Sequence, residues 1–142
     1  MGIFIAKQPN GLYCLKNVLN LVVSKQWFEK IVSGEKKEEY RAIKSYWINR
    51  LIEAKYEGSD EYRRVKTYPV FDMLISNSNL KELVEKKTAR FVPFTHVRFF
   101  QGYAKNRPWI EKEIESITIG KPPKGLCPVL WLDQECFIIK FK

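Results

Sequence analysis

The stretch SGEKKEEYRAIKSYW, residues 33–47, sets three glutamates, four basic residues and two tyrosines behind the greasy turn WFEKIV. So dense a block of mixed charge serves either a solvated edge strand or a site for an anionic ligand. His96 is the only histidine of the chain. Any acid–base chemistry must therefore come from lysine, tyrosine, glutamate or aspartate, and those types are concentrated in this stretch. The poise of a lysine here depends on its neighbours: an arginine disfavours its charged form, whereas Glu39 favours it.

A second constellation lies at residues 86–110, KKTARFVPFTHVRFFQGYAKNRPWI, which contain no acidic residue. Lys86, Lys87, Arg90, Arg98, Lys105 and Arg107 are interleaved with Phe91, Phe94, Phe99, Phe100, Tyr103 and Trp109. Nucleic acids call for this mixture, because cations neutralise phosphates while aromatic faces stack on bases. Alternation sends Val97 and Phe99 to one side of a strand and Phe94, His96, Arg98 and Phe100 to the other. The second side is aromatic and basic at once, which an ordinary solvated face seldom is. Arg98, Tyr103, Lys105 and Arg107 are the candidate contacts to nucleic acid. His96 fits a packed, hydrogen-bonded residue better than a catalyst.

Other chemistries are excluded by what the chain lacks. One histidine cannot build a His-pair zinc site or an H-E-x-x-H helix. GKPPKG near residue 120 has neither the spacing nor the Lys-Ser/Thr ending of a phosphate-binding P-loop. There is no G-x-S-x-G nucleophile turn. No cofactor is therefore expected. Cys14, Cys127 and Cys136 are odd in number and form no C-x-x-C, as expected of reduced thiols in a cytoplasmic protein. No apolar run approaches the roughly 20 residues of a membrane span. The net charge is +9, with 13 of the 25 basic and 8 of the 16 acidic residues in positions 1–71. An excess spread so evenly points to a polyanionic partner met by the fold rather than by a basic tail.

The elements that must position these residues can be read from periodicity. VLNLVV (18–23) reads as a buried strand. Ser24 then caps a helix over 25–33, with Trp27, Phe28, Ile31 and Val32 on one apolar face and Gly34 closing it in the left-handed position. KEEYRA (37–42) reads as a strand. Ser45 caps a helix over 45–54 with the stripe Ile48, Leu51, Ile52. Residues 54–69 read as a polar surface loop and 70–75 as a strand. Asn79 caps a third helix, to Lys87, with Leu80, Leu83 and Val84 inward. Strands follow near 94–101, 109–119 and 135–141, with Phe137, Ile139 and Phe141 on one face of the last. The expectation is one α+β domain over 1–142, mostly β, a small barrel decorated with several helices.

Within this frame GEKKEEYR (34–41) resembles the G-x-K-x-x-E-x-R signature of the ASCH family, a PUA-like β-barrel group linked to RNA. Gly34, Lys36, Glu39 and Arg41 occupy its four positions. The apolar helix before it, FFQGY (99–103) and the hydrophobic closing strand also resemble small phage-type ASCH proteins. The likeness covers residues 18–142 and leaves 1–17 as an unexplained N-terminal extension. It implies a cleft lined by Lys36, Glu39 and Arg41 that takes single-stranded RNA, a nucleotide or a nucleoside. Some relatives are amidohydrolases acting on acetylated cytidine, similar at Lys36 but with threonine in place of Glu39 and an added acidic residue from a helical insertion; here 120–134 is short. Others are ribonucleases, which implies Lys36 as electrostatic stabiliser and Glu39 or Tyr40 in proton transfer. An interaction module for an acidic protein is the remaining alternative. Strict alternation puts Lys36 opposite Glu39 and Arg41, so the three converge only if Lys36 sits in the turn after Gly34 or a bulge intervenes. A lysine lining a cleft would tolerate replacement by methionine with little effect on folding.

Overall fold

A computed structural model of the chain describes residues 3–7, 13–71, 80–123 and 134–142. The elements run β1 (Ile3–Lys7), β2 (Tyr13–Val23), α1 (Lys25–Ser33), β3 (Glu38–Ala42), α2 (Ser45–Leu51), β4 (Ile52–Lys55) and β5 (Tyr62–Arg64). A 3-10 turn at Pro69–Phe71 is followed by α3 (Leu80–Glu85), β6 (Ala89–Phe91), β7 (His96–Gln101), β8 (Trp109–Gly120) and β9 (Cys136–Phe141). The fold is thus α+β and mostly β. The strands form one sheet in the order β1-β2-β7-β8-β9-β3 and a second in the order β5-β4-β6. Packing divides the chain into two compact units, the first Met1–Glu39, Pro93–Ser116 and Ile139–Lys142, the second Tyr40–Val92 and Ile117–Ile138.

In the first unit the apolar run of β2 lies parallel to β7, Leu19 opposite Val97 and Leu21 opposite Phe99, all four buried. Such a pair reads as an apolar run because parallel strands are covered on both faces. β7 turns back antiparallel into β8, and β1 pairs antiparallel with β2 from Ile3 opposite Asn17 to Lys7 opposite Tyr13. The N-terminal extension therefore supplies a strand of the sheet. Phe99 and Phe141 meet with ring centroids 4.9 Å apart, and α1 packs on β7 with Phe28 and Ile31 buried. Each such side chain withdraws enough apolar area to contribute about 1.5–3 kcal/mol. Trp27 is half-buried and Val32 is exposed, so the apolar face of α1 is narrower than its spacing suggested. Ser24 stands at the N-cap without a side-chain cap bond.

The second unit is built on β4, which pairs antiparallel with β5 and β6. The expected helix over 45–54 stops at Leu51, because Ile52 is already extended and opens β4 opposite Phe91. The expected stripe therefore serves two elements: Ile48 and Leu51 from the helix, Ile52 from the strand, all buried. Lys44, not Ser45, holds the N-cap of α2, and Ser45 is buried in its first turn. The expected surface loop over 54–69 contains a hairpin of β4 and β5, with Gly58 at φ 79° in the connection. Its polar residues had masked the strands, since Glu53, Lys55, Tyr62 and Arg64 lie on the sheet face away from buried Ile52 and Ala89. Pro69–Phe71 forms a 3-10 turn where a strand was expected, and 72–75 lie outside the described residues, as does Asn79. In α3 Leu80 is buried but Leu83 is exposed, so the expected stripe is only partly inward. Phe91 and Phe137 pack edge-to-face in this unit at 6.0 Å.

Candidate functional site

The signature begins where α1 must end. Gly34 takes φ 83° and ψ 0°, a conformation costly for any residue with a Cβ, and its N–H donates to the Ile31 carbonyl at 3.2 Å. The Lys36 N–H then donates back to the Lys30 carbonyl at 3.0 Å, so the chain is tied to the last helical turn for two further residues. Regular strand begins only at Glu38. Lys36 thus lies in the turn, free of strand parity, and its side chain is driven inward until only 1% of the residue is exposed. Its Nζ stands 3.4 Å from Glu39 Oε1 and 4.6 Å from the centroid of the Trp27 ring. The geometry meets the condition under which Lys36 and Glu39 converge.

This is a buried ion pair. Removing both charges from water costs several kcal/mol per ion, offset by mutual attraction and by the ring face of Trp27. The strand is anchored beside it, since the Phe141 N–H donates to the Lys37 carbonyl at 3.0 Å. Trp27, read from the sequence only as part of the apolar face of α1, stands one turn before Ile31 and meets the Lys36 side chain of the returning chain.

Tyr40 and Arg41 belong to the second unit. Tyr40 is buried. Arg41 is half-buried, and its guanidinium lies 4.9 Å over the Trp47 ring. Arg50 lies 5.5 Å from the same ring and from that of Tyr46, and donates from Nη1 to the Tyr46 hydroxyl at 3.1 Å.

The later part of the acid-free stretch builds β7, the turn after it and the first two residues of β8, whose following residues include Glu111, Glu113 and Glu115. Gly102, at φ 68°, starts the turn, and the Gln101 N–H donates to the Pro108 carbonyl at 3.0 Å to close it. Val97 and Phe99 are buried, while His96, Arg98 and Phe100 share the other face. Phe94 does not join them: it precedes the strand and is buried. His96 Nδ1 lies 2.9 Å from Thr95 Oγ1. Phe100 stands directly opposite Trp109, their rings 6.5 Å apart at 42°. Arg98 lies 4.5 Å over the Trp109 ring and Arg107 4.3 Å over the Phe100 ring. Tyr103 and Trp109 are 85% and 54% exposed, and Lys105, two residues after Tyr103 in the same turn, is exposed as well.

Arg98 also donates from Nη2 to Glu111 Oε1 at 3.0 Å, while Lys16 Nζ donates to Glu111 Oε2 at 2.6 Å. Burial would raise the Glu111 pKa, but the hydrogen bonds and charges of Lys16 and Arg98 outweigh it and hold the carboxyl below its ordinary value. Lys16 and Glu111 escaped the sequence reading because their link to Arg98 runs across three strands. Among the described residues no three His, Cys, Asp or Glu side chains are gathered as a metal ion would require, and no helix is long and apolar enough to cross a membrane.

A scan of protein-family models, a search of curated proteins and a search of solved structures each find no match to this chain.

Proposed function

We propose that the chain is an RNA-binding domain of the ASCH type, its strands forming a PUA-like barrel. The observation that carries the binding function is the β7–β8 hairpin, where Tyr103, Lys105 and Trp109 are exposed together in a stretch without acidic residues. Cation and ring side by side suit a ligand that alternates phosphate and base. The family reading is supported by the turn at Gly34, which brings two signature residues, Lys36 and Glu39, into one buried pair. Net charge of +9 favours the same polyanionic partner.

Fluorescence anisotropy of a labelled single-stranded RNA tests this reading. Binding should weaken with added salt and should survive an excess of polyglutamate. Failure of the folded protein to bind at low salt would reject the reading, and displacement by polyglutamate would instead favour a module for acidic proteins.

A second reading has one observation in its favour. A lysine and a carboxylate held together out of water are a common way of poising groups for catalysis, and Lys36 and Glu39 are so held. In an enzyme acting on RNA or a modified nucleoside, Lys36 would stabilise developing negative charge and Glu39 would move a proton. Chromatographic assay of RNA and of acetylated cytidine after incubation separates it from binding alone.

A further inference from the structure

The two arginines of the hairpin are already engaged, and this changes what the hairpin can recognise. The Arg98 guanidinium is held at once by the Glu111 carboxylate at 3.0 Å and by the Trp109 ring at 4.5 Å. Arg107 donates from Nη1 to the Gly102 carbonyl at 3.0 Å and lies on the Phe100 ring at 4.3 Å. To grip a phosphate, Arg98 would have to give up a charge-assisted hydrogen bond to a carboxylate that Lys16 also holds. Neither arginine is placed as a loose cation. Each lies against one of the two rings that face each other across the strands, and so fixes ring orientation.

Trp109 keeps more than half its surface open and Tyr103 nearly all of its own. Bases in a duplex already stack on one another, so such rings can accept only unpaired bases. We propose that the β7–β8 hairpin binds single-stranded RNA by stacking bases on Trp109 and Tyr103, with Lys105 meeting the phosphate and Arg98 and Arg107 serving as positioning residues. The proposal rests on the RNA-binding reading and names what that surface reads. It reverses the expectation that Arg98 and Arg107 are phosphate contacts.

The test uses the full chain with three probes: an oligouridine RNA, an abasic strand of the same length, and a duplex. The oligouridine should bind at least about tenfold more tightly than the other two, given the usual worth of one stacked base. Trp109→Ala should lose on the order of tenfold with an unchanged salt slope, and Trp109→Phe should recover much of it. Lys105→Ala should lower the log–log salt slope by about 0.7. Arg98→Ala should weaken binding and leave that slope unaltered, which loss of a phosphate contact would not do. Equal affinity for the abasic strand, or a slope change of that size in Arg98→Ala, overturns the inference while leaving RNA binding intact. If folded wild-type protein binds none of the three probes, the RNA-binding reading falls and the inference falls with it.

Discussion

Lys36 and Glu39 carry their charges inside the protein, and that placement decides how each responds to substitution. Lys36 is among the largest fully buried side chains, so its replacement cannot be the mild change expected of a residue lining an open cleft. Lys36→Met should cost about 3–5 kcal/mol, because it takes the lysine charge away from the buried Glu39 carboxylate 3.4 Å from it. The double variant Lys36→Met/Glu39→Leu should recover most of that loss, since an apolar pair of similar volume avoids the desolvation of both ions. Urea titration of the two variants decides it; an equally unstable double variant would show that the pair itself is not the source. Glu111 provides a pH test. Its carboxyl is held below its ordinary pKa, so its contribution to stability is present above the unfolded-state pKa and lost as pH falls through the lowered folded value. Melting temperature should therefore fall more steeply on acidification in the wild type than in Glu111→Gln. Parallel curves would show that Lys16 and Arg98 give the carboxylate no net preference.

At the scale of elements, the two helix ends that reverse the chain solve one problem with different residues. α1 ends on Gly34, whereas α3 ends with Lys87 at φ 63°. There the Thr88 N–H donates to the Leu83 carbonyl at 3.0 Å and the Lys87 N–H to the Val84 carbonyl at 3.1 Å, the paired bonds of a glycine-type helix stop. Lys87→Gly should relieve the left-handed strain and stabilise the protein by about 0.5–1 kcal/mol, while Gly34→Ala should destabilise by about 1–2 kcal/mol. Denaturation midpoints read both signs. The turn at Gly34 was legible in the sequence because an amphipathic helix followed by glycine specifies a left-handed stop from local chemistry alone. Strands β7 and β9 were legible for a similar reason, with Val97 and Phe99 in one and Phe137, Ile139 and Phe141 in the other at every second position. The β4–β5 hairpin was not, because its alternation pairs polar residues with small or basic ones and carries little hydrophobic signal. The engagements of Arg98 and Arg107 were hidden more deeply: a sequence shows that an arginine is present, not that a carboxylate on the next strand holds Arg98 or that a turn carbonyl holds Arg107.

For the molecule as a whole, a net charge of +9 dispersed along the chain acts at long range, whereas the proposed stacking acts at contact. Raising ionic strength should therefore slow association with single-stranded RNA severalfold and change dissociation little, a split that stopped-flow mixing measures. A salt effect confined to dissociation would place the charges in the bound interface instead. The parallel pairing of β2 with β7 has a consequence for biogenesis. β2 ends at Val23 and β7 does not begin until His96, so the centre of the first unit must wait for a partner made much later. The intervening Tyr40–Val92 stretch is contiguous and holds α2, all of the β5-β4-β6 sheet and α3. On a ribosome those local pairings can close early, while the apolar edge of β2 stays uncovered until β7 emerges. The nascent chain passes through an interval in which the apolar run of β2 is an open edge, and that interval, rather than the finished fold, is where chaperone capture or aggregation would act.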